Sequence, residues 1–329
     1  MSKAEDIPYQ LRPNKFIDRQ IFVDLLTKIV PQRDDGRYVY ISMGGKHLVD
    51  QESVYRRVGI RNLFSFDDSA DIVARQLCNR PTAKAVCKEM MASALASEID
   101  DILSTFPKAT NIVAWLDYTK RNRLSQLQEF AEVLKKCQAG DVIRITMNAD
   151  DRTLNQSWEK STASGPSEFR AEMLKENIAE FFDTKIEAIG KDGLPATLSE
   201  AVRIAASGAE EEIDSELTLA PVLLTSYADG MRMFTATLLC HNRKTGLPNG
   251  LRGWEFNPKR WSDIVDISAP DLSLREKVEI DKHLKKGPSA ILKAIKFKPS
   301  SELDDAKIAI ESYKRLHRYY PSFYAIGIQ

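Results

Sequence analysis

What most constrains this chain is an alternation. Short apolar runs and longer amphipathic segments follow one another from residue 16 to about residue 150, and the pattern then changes. The apolar runs at 38–42, 62–66, 85–90, 111–116 and 141–146 have strand length. Those around Tyr38-Val39-Tyr40-Ile41 and Ile112-Val113-Ala114-Trp115 carry the β-branched and aromatic side chains that suit a buried strand. Before and between them, residues 16–29, 48–58, 69–77, 95–106 and 124–137 repeat apolar side chains at helical spacing. Pro31, Gly59, Pro107 and Ala139-Gly140 punctuate the helix ends. Strands alternating with helices over this length build parallel βαβ units, hence a doubly wound α/β sheet with helices on both faces.

Two helices then follow in succession, at 169–182 and 198–206, with Glu210-Glu211-Glu212 behind them as a solvated acidic run. Apolar runs at 220–227 and 231–240 meet at Asp229-Gly230, the strongest short-range signal for a tight antiparallel hairpin. A parallel Rossmann-like sheet that finishes in such a hairpin has the topology of class I methyltransferases, whereas a nicotinamide-binding sheet would continue in parallel. After a loop-like stretch at 242–258, Ser273-Leu274-Arg275-Glu276 is a capping box opening a helix to Leu284. Gly287-Pro288 breaks it, and 303–318 reads as a last helix before the aromatic run Tyr319 to Tyr324. The expected organisation is a methyltransferase-like domain over 1–268, with a two-helix insertion at about 151–216, and a small helical C-terminal addition over 269–329.

Charge and composition remove several classes. Lys plus Arg and Asp plus Glu are equal at 47 each in 329 residues, so the strongly basic signature of a general nucleic-acid or anionic-membrane binder is missing. No apolar run approaches the roughly 20 residues that span a bilayer, and Met1 to Leu11 carries charge where a signal peptide is apolar. A soluble, cytoplasmic protein with no membrane partner is the expectation. Cys78, Cys87, Cys137 and Cys240 lie far apart with no CxxC pair, and the four histidines have no metal-ligand spacing. Reduced thiols and no metal site are expected.

Ligands of open α/β sheets bind outside the carboxyl ends of the strands, near the switch point of the strand order. Met43-Gly44-Gly45 ends the first strand, and its glycines let the backbone come close to a ligand, a plain turn being the alternative. Asp67, at the tip of the second strand, suits the two hydroxyls of a ribose, leaving Asp68 or Ser69 to cap the next helix. Asp117-Tyr118-Thr119 follows the most apolar strand. An acid there can orient a cofactor or take a proton from a substrate, or it can cap the following helix. Met147-Asn148 ends the fifth strand. Lys120-Arg121-Asn122-Arg123 suits phosphate groups or a solvated turn.

Several of these stretches together resemble a known family. They are Tyr38-Val-Tyr-Ile-Ser-Met-Gly-Gly45 with Asp50, Gly59-Ile-Arg-Asn-Leu-Phe-Ser-Phe-Asp67, Arg75-Gln-Leu-Cys-Asn-Arg-Pro81, Trp115-Leu-Asp-Tyr118, Leu272-Ser-Leu-Arg-Glu276 and Arg318-Tyr-Tyr-Pro321. The sequence is similar to bacterial O-methyltransferase-like proteins, some of which occur beside phosphoribosyltransferase-like genes or in phage-defence neighbourhoods. The resemblance implies a class I fold binding S-adenosylmethionine. By position it implies Met43, Gly44 and Gly45 along the methionine part, Asp67 with Asp68 at the ribose, Met91 to Ser93 near the adenine, and Asp117 near the methyl-transfer centre. This chain departs from the common pattern in its first loop, which reads Met-Gly-Gly-Lys in place of an acidic residue followed by GxGxG.

The leading expectation is therefore an S-adenosylmethionine-dependent methyltransferase, with Asp117 as base, Tyr118 in support, and a nucleotide or small molecule as the unidentified acceptor. The alternative, resting on the missing GxGxG and the added helices, is a catalytically silent module that senses a nucleotide or scaffolds a defence complex with a protein partner. A nicotinamide dehydrogenase ranks third, and the terminal hairpin counts against it.

Overall fold

The computed structural model describes residues 12–31, 35–154, 163–300 and 302–321. Met1 to Leu11, residues 32–34 of the first polar turn, 155–162 of the expected insertion and the end of the aromatic tail lie outside the described residues.

Each expected strand forms. β1 (Tyr38–Ser42), β2 (Asn62–Asp67), β3 (Val86–Glu89), β4 (Asn111–Asp117) and β5 (Val142–Asn148) are parallel neighbours, and β7 (Met231–Asn242) runs antiparallel to β5. With β6 (Leu217–Asp229) and the short β8 (Val265–Ile267), the sheet has eight strands in the order β3-β2-β1-β4-β5-β7-β6-β8. β1 and β5 are buried along their whole length, as parallel strands covered on both faces must be. β3 ends the sheet with Lys88 and Glu89 exposed, a short charged edge that resists pairing with another chain. β8 carries no signal in the sequence, because three residues are too few for a period-2 pattern.

The period of two sorts the strand residues between the faces. One face presents Val39, Ile41, Phe64, Ile112, Ala114, Leu116, Ile143, Ile145, Phe234 and Ala236. Against it pack α4 (Leu95–Ser104), α5 (Arg123–Leu134), α6 (Pro166–Ile178) and α7 (Leu194–Glu210). α7 contributes Leu198, Ala201, Val202 and Ala205 to this core, so the second of the two successive helices packs on the sheet. The other face is more polar. Ser42, Ser65, Arg144, Thr146, Thr235 and Thr237 are all buried there. The Arg144 guanidinium sits over the rings of Phe22, on α1 (Pro13–Ile29), and Trp115, at 4.7 and 4.9 Å from their centroids, and donates to Thr237 Oγ1 (2.8 Å) and Thr235 Oγ1 (3.0 Å).

The chain divides into two compact units. One is Phe22–Ser226 with Met231–Val265; the other comprises Tyr227–Gly230 and the described parts of Met1–Ile21 and Asp266–Gln329. The second unit holds α8 (Leu274–Asp281), whose Ser273–Glu276 capping box forms as the sequence predicts. It also holds α9 (Pro288–Ala294) and α10 (Leu303–Leu316), packed through Ile280, Ile291, Ile295, Ile310 and Tyr313. Gly287-Pro288 does more than break a helix, since Pro288 is the first residue of α9, where its missing N–H has no intrahelical partner to lose. Gly230 makes the hairpin turn at φ +106°. The neighbouring Asp229 carboxylate accepts the first-turn amides of α1, Asn14 (3.3 Å) and Lys15 (2.8 Å), where the helix dipole favours negative charge. No helix among the described residues is long and apolar enough to cross a membrane.

Two stability predictions follow from these contacts. Asp229→Ala leaves two amides of α1 without their acceptor and should cost about 1–2 kcal/mol, seen as a lowered thermal midpoint. An unchanged midpoint would assign Asp229 to the turn alone. Asp141, at the start of β5, is buried and accepts Ile112 N–H, Asn111 Nδ2 and Gln138 N–H. Burial raises its carboxyl from 3.8 to about 6, against those three donors. The folded chain then holds this proton more tightly than the unfolded one. That contribution is complete below about pH 4 and is lost as the pH rises through about 6. Between those limits the parent should lose about 2–3 kcal/mol relative to Asp141→Asn in urea unfolding. Parallel pH profiles for the two proteins would contradict this.

Candidate functional site

β1 and β4 lie side by side, and the chain leaves them toward opposite faces. After β4 it enters α5, on the apolar face. After β1 it enters α2 (Val49–Ser53), whose buried Asp50 accepts the hydroxyl of Tyr40 (2.9 Å) from the polar face. This divergence is the switch point, beside which open α/β sheets place their ligand crevice, here between the turn at 43–48 and the loop at 118–122.

The turn is built on left-handed backbone. Gly44 and Gly45 have φ +63° and +54°, and Leu48 adopts φ +50°. Gly44 is required twice over, because a Cβ there would also lie 2.5 Å from Leu48 Cδ2 and 3.3 Å from Ser42 Oγ. From α3 (Ala70–Asn79), Gln76 Nε2 donates to the carbonyls of Met43 (2.9 Å) and Gly45 (3.2 Å), and Asn79 Nδ2 to that of Lys46 (2.8 Å). Ser42 and Ser65 pair in register on β1 and β2. Their hydroxyl oxygens are buried with no hydrogen-bond partner among the described residues. Sequence reasoning gave no role to Gln76, Asn79, Ser42 or Ser65. The visible signal was two serines inside otherwise apolar strands.

Asp67 ends β2, half-buried. One oxygen accepts Ser69 N–H (3.0 Å), which fixes its rotamer. Burial raises its carboxyl above the ordinary range. The Ser69 amide opposes this, Asp68 adds to it, and Lys120 opposes it from the loop across the crevice. Ser69 occupies the N-cap position of α3, its side chain making no capping bond, and Asp68 is exposed. Beyond β3, Met91 is 63% exposed and Ser93 is exposed on the following turn. The strand-end residues thus line one rim, with Met43, Gly44 and Gly45 after β1, Asp67 and Asp68 after β2, Met91 and Ser93 after β3 and Asp117 after β4.

Asp117 is half-buried and pairs in register with Thr146, on the face shared with Trp115. Tyr118 points the other way. Its ring joins the apolar core and its hydroxyl donates to Glu129 of α5. Burial first and this carboxylate second push its phenol far above the ordinary range. The bond holds this hydroxyl toward α5, where it anchors the start of the loop after β4. The basic stretch is divided between the surface and the interior. Asn122 caps α5 through Ser125 N–H, and Arg123 is 1% exposed, donating to Asn148 O (2.9 Å) and Thr153 Oγ1 (2.7 Å). Burial lowers the Arg123 guanidinium to about 10. Lys120, Arg121 and Asn122 of that stretch are exposed. Asn148 is buried too, its carbonyl side accepting Asp150 N–H (3.0 Å). Among the described residues no group of three or more His, Cys, Asp or Glu side chains could hold a metal ion.

Several solved structures are similar in part. Trm1 from Pyrococcus horikoshii, in complex with S-adenosyl-L-methionine, is 13% identical over 70% of this chain and 56% of that one, with a TM-score of 0.40. This chain therefore spans little more than half of that protein. The O-methyltransferase from Bacillus cereus, in complex with SAH, is 11% identical over 72% and 84% of the two chains, with a TM-score of 0.38. TrmK from M. capricolum, in complex with S-adenosyl-homocysteine, is 8% identical over 90% and 97%, with a TM-score of 0.35. A comparison with curated proteins finds no match. The family described as "Putative O-methyltransferase" matches residues 7–328, nearly the full sequence, and the chain belongs to that family.

Proposed function

We propose that the protein is an S-adenosylmethionine-dependent methyltransferase whose cofactor lies along the rim from Met43 to Asp117. The carrying observation is the glycine turn at the switch point. Gly44 and Gly45 carry no side chain into the turn, and two buried hydroxyls, Ser42 and Ser65, stand beside Gly44 with no hydrogen-bond partner among the described residues. A buried hydroxyl without a partner costs roughly 1–3 kcal/mol, so a polar ligand arriving there gains what the protein forgoes. The residues present fit the group. Met43, Gly44 and Gly45 would take the methionine part, Asp67 with Asp68 the ribose, and the exposed Met91 with Ser93 the adenine.

When bound, S-adenosylmethionine supplies an electrophilic methyl group on a sulfonium, and the protein's part is then to position the acceptor and exclude water. Asp67 has one oxygen tied to Ser69 N–H, and its carboxylate would accept a ribose hydroxyl from this fixed rotamer. Asp117 stands where it can accept the proton of an acceptor hydroxyl or orient the cofactor's amino group. Tyr118 and Glu129 fasten the loop that carries Asp117 to α5. The acceptor is a nucleotide or another small molecule. The phage-defence setting implied by the resemblance makes protection in cells a second assay.

The reading makes separable predictions. Asp67→Ala should weaken S-adenosylmethionine binding more than about tenfold in calorimetry, since charge-assisted hydrogen bonds of roughly 1.5–3 kcal/mol each are lost. Equal affinities would make Asp67 a turn residue only. Asp117→Asn should lower labelled-methyl transfer by about 10²–10⁴-fold where the acceptor needs a base. Full protection in cells by Asp117→Asn, with no methylated product from the parent, would replace the enzyme by the silent scaffold. Tyr118→Phe should lower the thermal midpoint while leaving cofactor affinity unchanged, because the hydroxyl serves α5 and not the crevice.

A further inference from the structure

The run Arg75-Gln-Leu-Cys-Asn-Arg-Pro81 has no part in the chemistry above, yet its two amide side chains reach the glycine turn. Gln76 and Asn79 lie three residues apart on α3, hence on one face of that helix. Between them they donate to three successive features of the turn, the carbonyls of Met43, Gly45 and Lys46, at 2.9, 3.2 and 2.8 Å. Gln76 is fully buried. Two carbonyls on one side settle its amide orientation, so Nε2 faces the turn, and Oε1 is buried with no partner among the described residues. A turn with left-handed residues at 44, 45 and 48 has little helix or strand pairing of its own to hold it.

We propose that Gln76 and Asn79 are positioning residues that clamp the Met43–Lys46 turn in the shape that receives the cofactor. The inference rests on the cofactor reading above. It also explains how a loop without the GxGxG spacing serves. Where alternate glycines let a loop meet its helix closely, here the helix reaches out with amides and draws the loop's carbonyls toward itself. Gln76 carries the larger share, because it makes two bonds in a dry setting and Asn79 makes one at the exposed surface.

The test uses the full chain with Gln76→Met, which keeps length and apolar bulk but has no donor, and Gln76→Glu, which faces two carbonyls with an acceptor. Asn79→Ala and, as a control on the same helix, Cys78→Ala at an exposed position complete the set. Thermal midpoints, S-adenosylmethionine titration and amide hydrogen exchange over residues 43–48 are measured for each. A clamp predicts faster exchange confined to 43–48 and about tenfold weaker binding in Gln76→Met, with exchange elsewhere in the chain as in the parent. Asn79→Ala should lose about two- to threefold and Cys78→Ala nothing. If Gln76→Glu does not fold, Gln76→Met still decides. Unchanged exchange at 43–48 in Gln76→Met, or unchanged affinity, overturns the clamp. If the parent itself binds no S-adenosylmethionine, the cofactor reading falls and the clamp loses its purpose. The exchange data then report only whether the amides hold the turn.

Discussion

The pairing of β1 with β4 is the contact on which the rest of the molecule depends. Parallel strands need crossover connections, and these keep one hand. The chain therefore works outward from β1 through β2 to β3 on one side, then returns to lay β4 and β5 on the other. Once Tyr38–Ser42 aligns with Asn111–Trp115, the turns after β1 and β4 must diverge. Every residue weighed for cofactor or substrate, from Met43 to Asp117, takes its place from that divergence.

The antiparallel hairpin does more than complete the topology. In its register Thr237 stands opposite Arg144 and Thr235 opposite Thr146, so β7 brings hydroxyls to a face that already holds a buried guanidinium. Arg144 lies between two aromatic rings with its amines on those threonines, and Trp115 Nε1 donates to Thr146 Oγ1 (2.9 Å). A charge taken out of water is costly unless its donors are satisfied and its surroundings polarisable. A parallel seventh strand in another register would face Arg144 with different side chains. The polar network thus specifies strand direction as well as filling space.

Much of the fold was legible because it rests on local pattern. β1 to β5 were visible as apolar runs, Asp229-Gly230 marked the hairpin, and Ser273–Glu276 marked a capped helix. What escaped depends on tertiary partners. β8 is too short to show a period, and α9 begins at a Gly-Pro pair that looks like a stop. The stretch 48–58, read as one helix, is an α-helical turn followed by a π-helical turn at Val54–Val58, a distinction set by hydrogen-bond register and not by apolar spacing. The candidate site residues were legible as strand ends. Nothing in Asp117-Tyr118 tells which side chain turns to the core. The alternation of faces continues one residue past the strand and decides it.

The two ends of the sheet handle polar groups in opposite ways. At the amino ends of β4 and β5, Asp141 gathers three donors, Asn111 Nδ2 also reaches Ala139 O, and Gly140 N–H and Cys240 N–H bond Cys240 O and Asp141 O. The groups in that knot hold one another. At the carboxyl ends, Ser42 Oγ, Ser65 Oγ and Gln76 Oε1 are buried with no such partner, and three left-handed residues follow β1. Burying an unsatisfied oxygen and adopting αL at Leu48 each cost free energy. Among the described residues, then, the amino ends are satisfied by their own groups and the carboxyl ends are left short of partners. The amides of α3 supply the restraint that the turn's own sequence does not.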